Sequence, residues 1–274
     1  MIRLIKQIRY RLKYLTRDLV FWYAAHDGPL YRWIALNRYR PEQGSVESFI
    51  DAFSKASYDF YLIQVGANDG MTHDPVYKFI KRDRWNAILF EPQPSVFKRY
   101  LQPVYRKYPL VKPINAAIGY EDGAAELYTI SFNSDRWATG LATFERSVLL
   151  AAIKDGKLDR RLDRYGIIAP EDPEDWIAAE EIRVRSFQSV MQEHGVKRID
   201  LLMIDTEGFD HEVIKMVDFA VVKPAAIVFE DSHISEPDYE ACVRRLQEHG
   251  YTTHRIGPNT VAWLVDIRQF VPWD

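Results

Sequence analysis

Apolar residues recur at alternating intervals of three and four through the first 25 positions: Ile5, Ile8, Leu12, Leu15, Leu19 and Trp22. That spacing predicts an amphipathic helix, because a 3.6-residue turn gathers these side chains into one stripe and leaves Lys and Arg on the remaining faces. A loop holding Pro41 and Gly44 follows, then a second amphipathic helix over Val46–Lys55. From Tyr58 the pattern changes to short apolar runs separated by helical periods, which predicts an α/β fold around a largely parallel sheet. The runs place strands near 59–66, 86–91, 110–118, 199–205, 225–230, 251–257 and 260–266. Helices are expected near 73–82, 94–106, 186–195, 210–220 and 237–249. Gly257-Pro258-Asn259 reads as a tight turn, so the last two strands should form an antiparallel hairpin at a sheet edge. The expected architecture is a Rossmann-like, mostly parallel seven-stranded sheet with an antiparallel terminal hairpin, preceded by N-terminal helices.

Two units follow from this pattern: a basic helical extension over residues 1–57 and an α/β domain over 58–274. Within the domain the alternation lapses over 131–180, a stretch that holds Trp137-Ala138-Thr139-Gly140, a helical period over 144–154 and the acidic run Pro170-Glu171-Asp172-Pro173-Glu174-Asp175-Trp176. Fifty residues of weak pattern inside a compact domain read as a lid or substrate-specific excursion, or as a decorated surface loop.

Composition and charge narrow the partners. With 274 residues, 47% of them hydrophobic, the chain can bury a full core. Its net charge of −3 is unevenly spread: residues 1–40 carry nine Lys/Arg against Asp18 and Asp27, so the rest is strongly acidic and no nucleic-acid partner is expected for it. The leader helix offers a basic, aromatic-tipped surface for a membrane, a partner or a second copy; its stripe could equally pack on the chain's own body. No apolar run is long enough to span a membrane, and residues 19–25 lack the flanks of a secretory signal. Cys242 is the single cysteine and is expected as an inert buried thiol, consistent with a reducing, cytoplasmic setting, either free or peripheral at the inner face of a membrane.

Ligands of doubly wound sheets sit beyond the carboxyl ends of the strands, so the residues just after each run carry the candidate chemistry. The first run ends in Gly66-Ala67-Asn68-Asp69-Gly70. Glycines there tolerate positive φ and bare the backbone, while Asp69 suits a cationic ligand better than a phosphate. Glu91 follows the second run, placed to accept from ribose hydroxyls; Asn115 and Ala116 follow in the third, with room for a flat ring. The fourth run ends in Asp205-Thr206-Glu207-Gly208 and the fifth in Glu230-Asp231-Ser232-His233. Buried carboxylates at such ends need a cation, a metal or donors, and histidine is the natural base near neutral pH.

These residues carry a resemblance. Val65-Gly66-Ala67-Asn68-Asp69-Gly70, Phe90-Glu91-Pro92, Asn115-Ala116-Ala117-Ile118-Gly119, residues 184–190 and Ile204-Asp205-Thr206-Glu207-Gly208-Phe209 occur in the order found in the FkbM family, and the chain resembles its S-adenosylmethionine (SAM)-dependent methyltransferases. The resemblance implies a class I methyltransferase fold, SAM as cofactor, and O-methylation of a sugar or natural-product hydroxyl. By position it implies cofactor contacts from Gly66, Asp69 and Glu91, and a place for Asp205 near the methionine end and the acceptor. Two features depart from the family: Met203 stands where a lysine often does, and neither the insert nor the basic leader is shared. Substrate class therefore does not transfer.

The expected chemistry is an in-line transfer to a hydroxyl of a saccharide, glycolipid or natural product. His233 is the expected base, oriented by Asp205 or Asp231, with Glu207 in reserve. Alternatively Asp205, Glu230 or Asp231 would hold a divalent ion such as Mg²⁺ that acidifies the hydroxyl. A membrane-associated scaffold with a degenerate methyltransferase fold, or a dinucleotide-dependent oxidoreductase, are the competing readings; Asp69 and the terminal hairpin argue against the oxidoreductase.

Overall fold

The computed structural model describes residues 2–264. Its strands are β1 (Tyr61–Val65), β2 (Asn86–Phe90), β3 (Val111–Ile114), β4 (Ala117–Gly119), β5 (Gly123–Ile130), β6 (Ile177–Ser186), β7 (Leu201–Ile204), β8 (Ala226–Glu230), β9 (Thr252–Ile256) and β10 (Asn259–Trp263). Seven form one sheet in the order β3-β2-β1-β7-β8-β10-β9. Neighbours pair in parallel except β10, which runs antiparallel to both β8 and β9. The predicted terminal hairpin is thus present; positions 265 and 266 of its expected last strand lie outside the described residues.

The central strands are apolar on both faces because helices cover both. Leu62 and Met203 belong to one core, while Ile63, Ile204 and Phe229 belong to the other. Strand order reverses between β1 and β7, the place where such sheets open a crevice. Register then aligns the crevice floor. Val65 pairs with Phe90 and Ile204, Phe90 with Ile114, and Ile204 with Phe229, so one rung crosses five strands. Gly66, Glu91, Asn115, Asp205 and Glu230 are the next residues above that rung.

Three expectations need correction. The strand expected over 110–118 breaks at Asn115-Ala116: β3 stays in the large sheet, and β4 enters a second sheet of order β4-β6-β5. That sheet is built on an eight-pair antiparallel ladder from Gly123↔Val184 to Ile130↔Ile177, and its Ala- and Glu-rich strands carry little intrinsic strand signal. The weakly patterned stretch 131–180 is accordingly helical over Arg136–Thr139, Arg146–Lys154 and Lys157–Tyr165, with its own small core of Trp137, Leu149, Leu158, Leu162 and Trp176. Finally, the helix expected from 73 begins at Tyr77. Asp69 accepts from the Met71 and Thr72 amides and Asp74 from those of Val76 and Tyr77, and these side-chain turns hold the intervening backbone out of a helix.

The leader helix Ile2–His26 lies on the body, but not through its leucine stripe. Its inner face is Tyr10, Tyr14, Arg17, Phe21 and Ala24, at the same three-and-four spacing as the outer stripe. Phe21 and Ala24 are buried, Tyr10 and Tyr14 pack on the insert core, and Lys6 and Gln7 reach Asp163 and the Gly166 carbonyl. Lys81, fully buried, donates to the Ala24 carbonyl and to Asp27 and pins the helix end. Leu4, Ile5, Ile8, Leu12, Leu15, Leu19 and Trp22 are all exposed. No described helix is long and apolar enough to cross a membrane.

Candidate active site

The glycine turn is shaped first by the chain's own packing. Gly66 has φ +85°, and a Cβ there would lie 1.8 Å from the Asp205 carbonyl oxygen. At Gly70, φ +71°, a Cβ would press into Leu101 and Tyr105. The Cβ atoms these glycines omit would therefore meet protein, where the sequence suggested a ligand. Between them Asn68 holds the left-handed conformation at φ +47°, and its Oδ1 is buried without a partner.

Asp69 is buried and meets a cation of the chain itself: Arg17 from the leader helix donates to Oδ2 at 2.9 Å. Arg136, on the short insert helix Arg136–Thr139, stands 4.0 Å from the same oxygen. Neither arginine was singled out by the sequence. Arg136 also acts on Glu91, Asp205 and Glu207, counteracting the rise in the pKa of each. Buried Nε and Nη1 of Arg17 and Nε of Arg136 have no hydrogen-bond partner.

Glu91 is buried above β2 and accepts from the Gln93 amide at 2.8 Å; burial pushes its carboxyl up to about 7 despite that bond. Asn115 donates to the Glu91 and Pro92 carbonyls, clamping the ends of β2 and β3 together. Its amide nitrogen is thereby committed to the protein's own backbone, and Ala116 beside it is fully buried.

Above β7 and β8 the carboxylates crowd. Burial, then Glu230, Asp210 and Glu207, push Asp205 up to about 8. Asp210, unremarked in the sequence, organises the loop: it accepts from the Thr206 hydroxyl at 2.8 Å and from the Thr206, Gly208 and Glu230 amides. Glu207 is held at φ +55°, and His233 Nε2 stands 3.8 Å from its Oε2. Ligand atoms of Glu207, Glu230 and His233 lie within 4.8 Å of one another. Asp231 corrects the expectation that placed it among the catalytic and metal residues: its carboxylate accepts from Thr260 at 2.6 Å and pairs with Arg255, fixing the β8–β10 edge. The carboxylate beside His233 is Glu207, in place of the expected Asp205 or Asp231.

A raised folded pKa makes stability a function of pH. Asp205 binds a proton in the folded chain up to about pH 8 and in the unfolded chain only to about pH 4. Its contribution is complete below the lower value and is lost as pH rises through the higher one. The ligand-free protein should therefore melt at progressively lower temperature from about pH 5 to about pH 8, and Asp205→Asn should make that slope shallower in calorimetric scans, with Glu91 and Asp74 supplying part of what remains.

The residues present fit a zwitterionic, ribose-bearing cofactor. Unsatisfied arginine donors suit a carboxylate and the buried acid Glu91 suits a ribose diol, while both oxygens of Asp69 are already engaged by Arg17 and by the Met71 and Thr72 amides. A family model for the Methyltransferase FkbM domain matches residues 64–253, a span that includes all five strand ends. The chain belongs to the FkbM methyltransferase family. No curated protein matches its sequence. Among solved structures, this FkbM chain is similar to a precorrin-6y C5,15-methyltransferase from Geobacter metallireducens, at 13% identity, covering 79% of this chain and 86% of that one with a TM-score of 0.37. It is also similar to an SAH-bound methyltransferase from Podospora anserina, at 11% identity, 91% and 88% coverage and a TM-score of 0.38. A putative O-methyltransferase from Klebsiella pneumoniae shares 11% identity over 91% and 89%, with a TM-score of 0.35. Family and sheet order together make this FkbM protein a methyltransferase of the Rossmann-like class.

Proposed function

We propose that the chain O-methylates a hydroxyl group of a saccharide-bearing acceptor, with SAM as donor. The carrying observation is His233 set beside Glu207 at the crevice mouth, more than half exposed and thus open to an incoming hydroxyl. SAM, when bound, supplies an electrophilic methyl group on sulfur. Glu91, Arg17 and Arg136 would hold its polar ends, with Asp69 fixing Arg17 in place, and Asp205 would face its methionine end. His233 would take the acceptor's proton as the new O–C bond forms and the S–C bond breaks, and Glu207 would hold the imidazolium that results. A cavity of about 370 Å³ is lined by Gln93, Ser131, Asn133, Ser134 and Glu180, with Phe132 as an apolar wall, but neither His233 nor Glu207 lines it. Thr139, on the same short helix as Arg136, borders it.

A consumption screen of SAM against glycans, lipid-linked sugars and small polyols, with mass spectrometry of products, tests this reading. A product methylated on nitrogen or carbon, or calorimetric binding of NAD in preference to SAM, would overturn it. The convergence of Glu207, Glu230 and His233 favours a second form of the reaction in which a divalent ion such as Mg²⁺ binds there and acidifies the hydroxyl. Chelation separates the two: activity that survives it belongs to the metal-free base.

Arg136→Met should weaken SAM binding by about 10–100-fold, the worth of a charge-assisted hydrogen bond, while the methionine keeps the aliphatic stem of a partly buried side chain and so largely preserves its packing. Isothermal titration at fixed pH measures it. Unchanged affinity would show that Arg136 serves the carboxylate cluster alone.

A further inference from the structure

We propose that the outer face of the leader helix docks on an anionic lipid bilayer, lying flat in the headgroup layer. Seven residues of that face, Leu4, Ile5, Ile8, Leu12, Leu15, Leu19 and Trp22, are each between 46% and 66% exposed along a helix about 37 Å long. Leu30, Trp33 and Ile34, just after the helix in sequence, are also more than half exposed. An apolar surface of this extent on a soluble body marks an interaction site.

Charge chooses the occupant. At about 100° per residue, Arg11 falls on one border of the stripe and Arg9 on the other. Arg38 and Arg40, after the helix in sequence, are also exposed. The helix has one acid, Asp18, and it is engaged by Arg99. The borders of the stripe carry Arg9 and Arg11 against a single acid, Asp18, which is already paired with Arg99, and this excess of positive charge disfavours a pair of identical helices. Anionic headgroups answer both borders while the stripe enters the acyl boundary, and the indole of Trp22 suits that interface. The helix does not need the membrane in order to form, because Tyr10, Arg17, Phe21 and Lys81 already fix its other side. Docking therefore requires no folding step, and it holds whether or not the acceptor is a saccharide.

The test is co-sedimentation of the full chain with vesicles of phosphatidylcholine alone or mixed with phosphatidylglycerol. The full chain should bind mixed vesicles at least about tenfold better than neutral ones, with binding that falls as salt rises. Leu12→Asp/Leu19→Asp should abolish binding, and Arg9→Gln/Arg11→Gln should reduce the salt dependence, both at unchanged melting temperature. Equal binding to the two vesicle types, or none, overturns the proposal. So does a dimer in sedimentation velocity that Leu12→Asp/Leu19→Asp dissolves, because the stripe would then be covered by a second copy.

Discussion

Gly66→Ala is expected to remove both the stability of the protein and its capacity for SAM. The added methyl carbon would sit 1.8 Å from the Asp205 carbonyl oxygen and 2.7 Å from the carbonyl carbon, well inside contact distance. Neither side can retreat. Gly66 and Ala67 both donate to the Phe90 carbonyl, at 3.1 and 2.8 Å, and the Asp205 amide donates to Val65 at 3.0 Å. The left-handed φ adds about 1–2 kcal/mol for any residue with a Cβ, and overpacking against fixed backbone adds about 1–3 kcal/mol or more. A fall of about 5–15 °C in melting temperature follows for a chain of this size, with SAM binding below detection. Gly70→Ala makes the control. Its obstacles are the Leu101 and Tyr105 side chains, which can shift, so its effect should be the smaller. A Gly66→Ala protein that melts like the parent would mean that the loop over Asp205 is not rigid.

His233→Ala should lower kcat by about 10²–10⁴-fold, the usual worth of a positioned base, with SAM affinity changed by less than about twofold. The side chain is 55% exposed and packs little, so the melting temperature should hold, and that separates lost chemistry from lost fold. Glu207→Gln should cost less, because it removes the orienting charge and leaves the imidazole. It should also relieve Asp205, whose carboxyl Glu207 helps to push up, so the stability slope with pH should become shallower. Turnover unchanged in His233→Ala would move the base to Glu207.

The central sheet was legible because parallel strands buried on both faces read as continuous apolar runs, and the residues capping those runs were therefore identifiable as candidates. What was not legible came from partners distant in sequence. Asp69 looked like a receiver for a ligand cation because nothing local shows that Arg17, 52 positions earlier, reaches it. Arg136 sits in the stretch without apolar period, and its importance follows only from the carboxylates around it. Asp210 had a faint signal, an acid five residues beyond Asp205 at a helix start, the position from which a side chain can satisfy loop amides. The leader helix carried two stripes at once. Its leucines drew attention, while Tyr10, Tyr14, Arg17, Phe21 and Ala24 kept the same spacing on the opposite side and were the ones that docked. Hydrophobicity alone left open which face turns inward, since a polar-tipped tyrosine and an arginine with a buried acid to meet bind a body as well as leucine does.

The ladder of β5 and β6 ends at Ile130↔Ile177, which brings the two ends of the insert side by side. Residues 131–176 are thus a cassette on a stem: another segment of any comfortable length could be joined at those two points without stretching the sheets beneath. Such an exchange would have to keep an arginine at the place of Arg136 and a surface that accepts Tyr10. If the acceptor binds as proposed, the cassette is the part to vary in directed changes of acceptor, and the five strand ends are the part to leave alone.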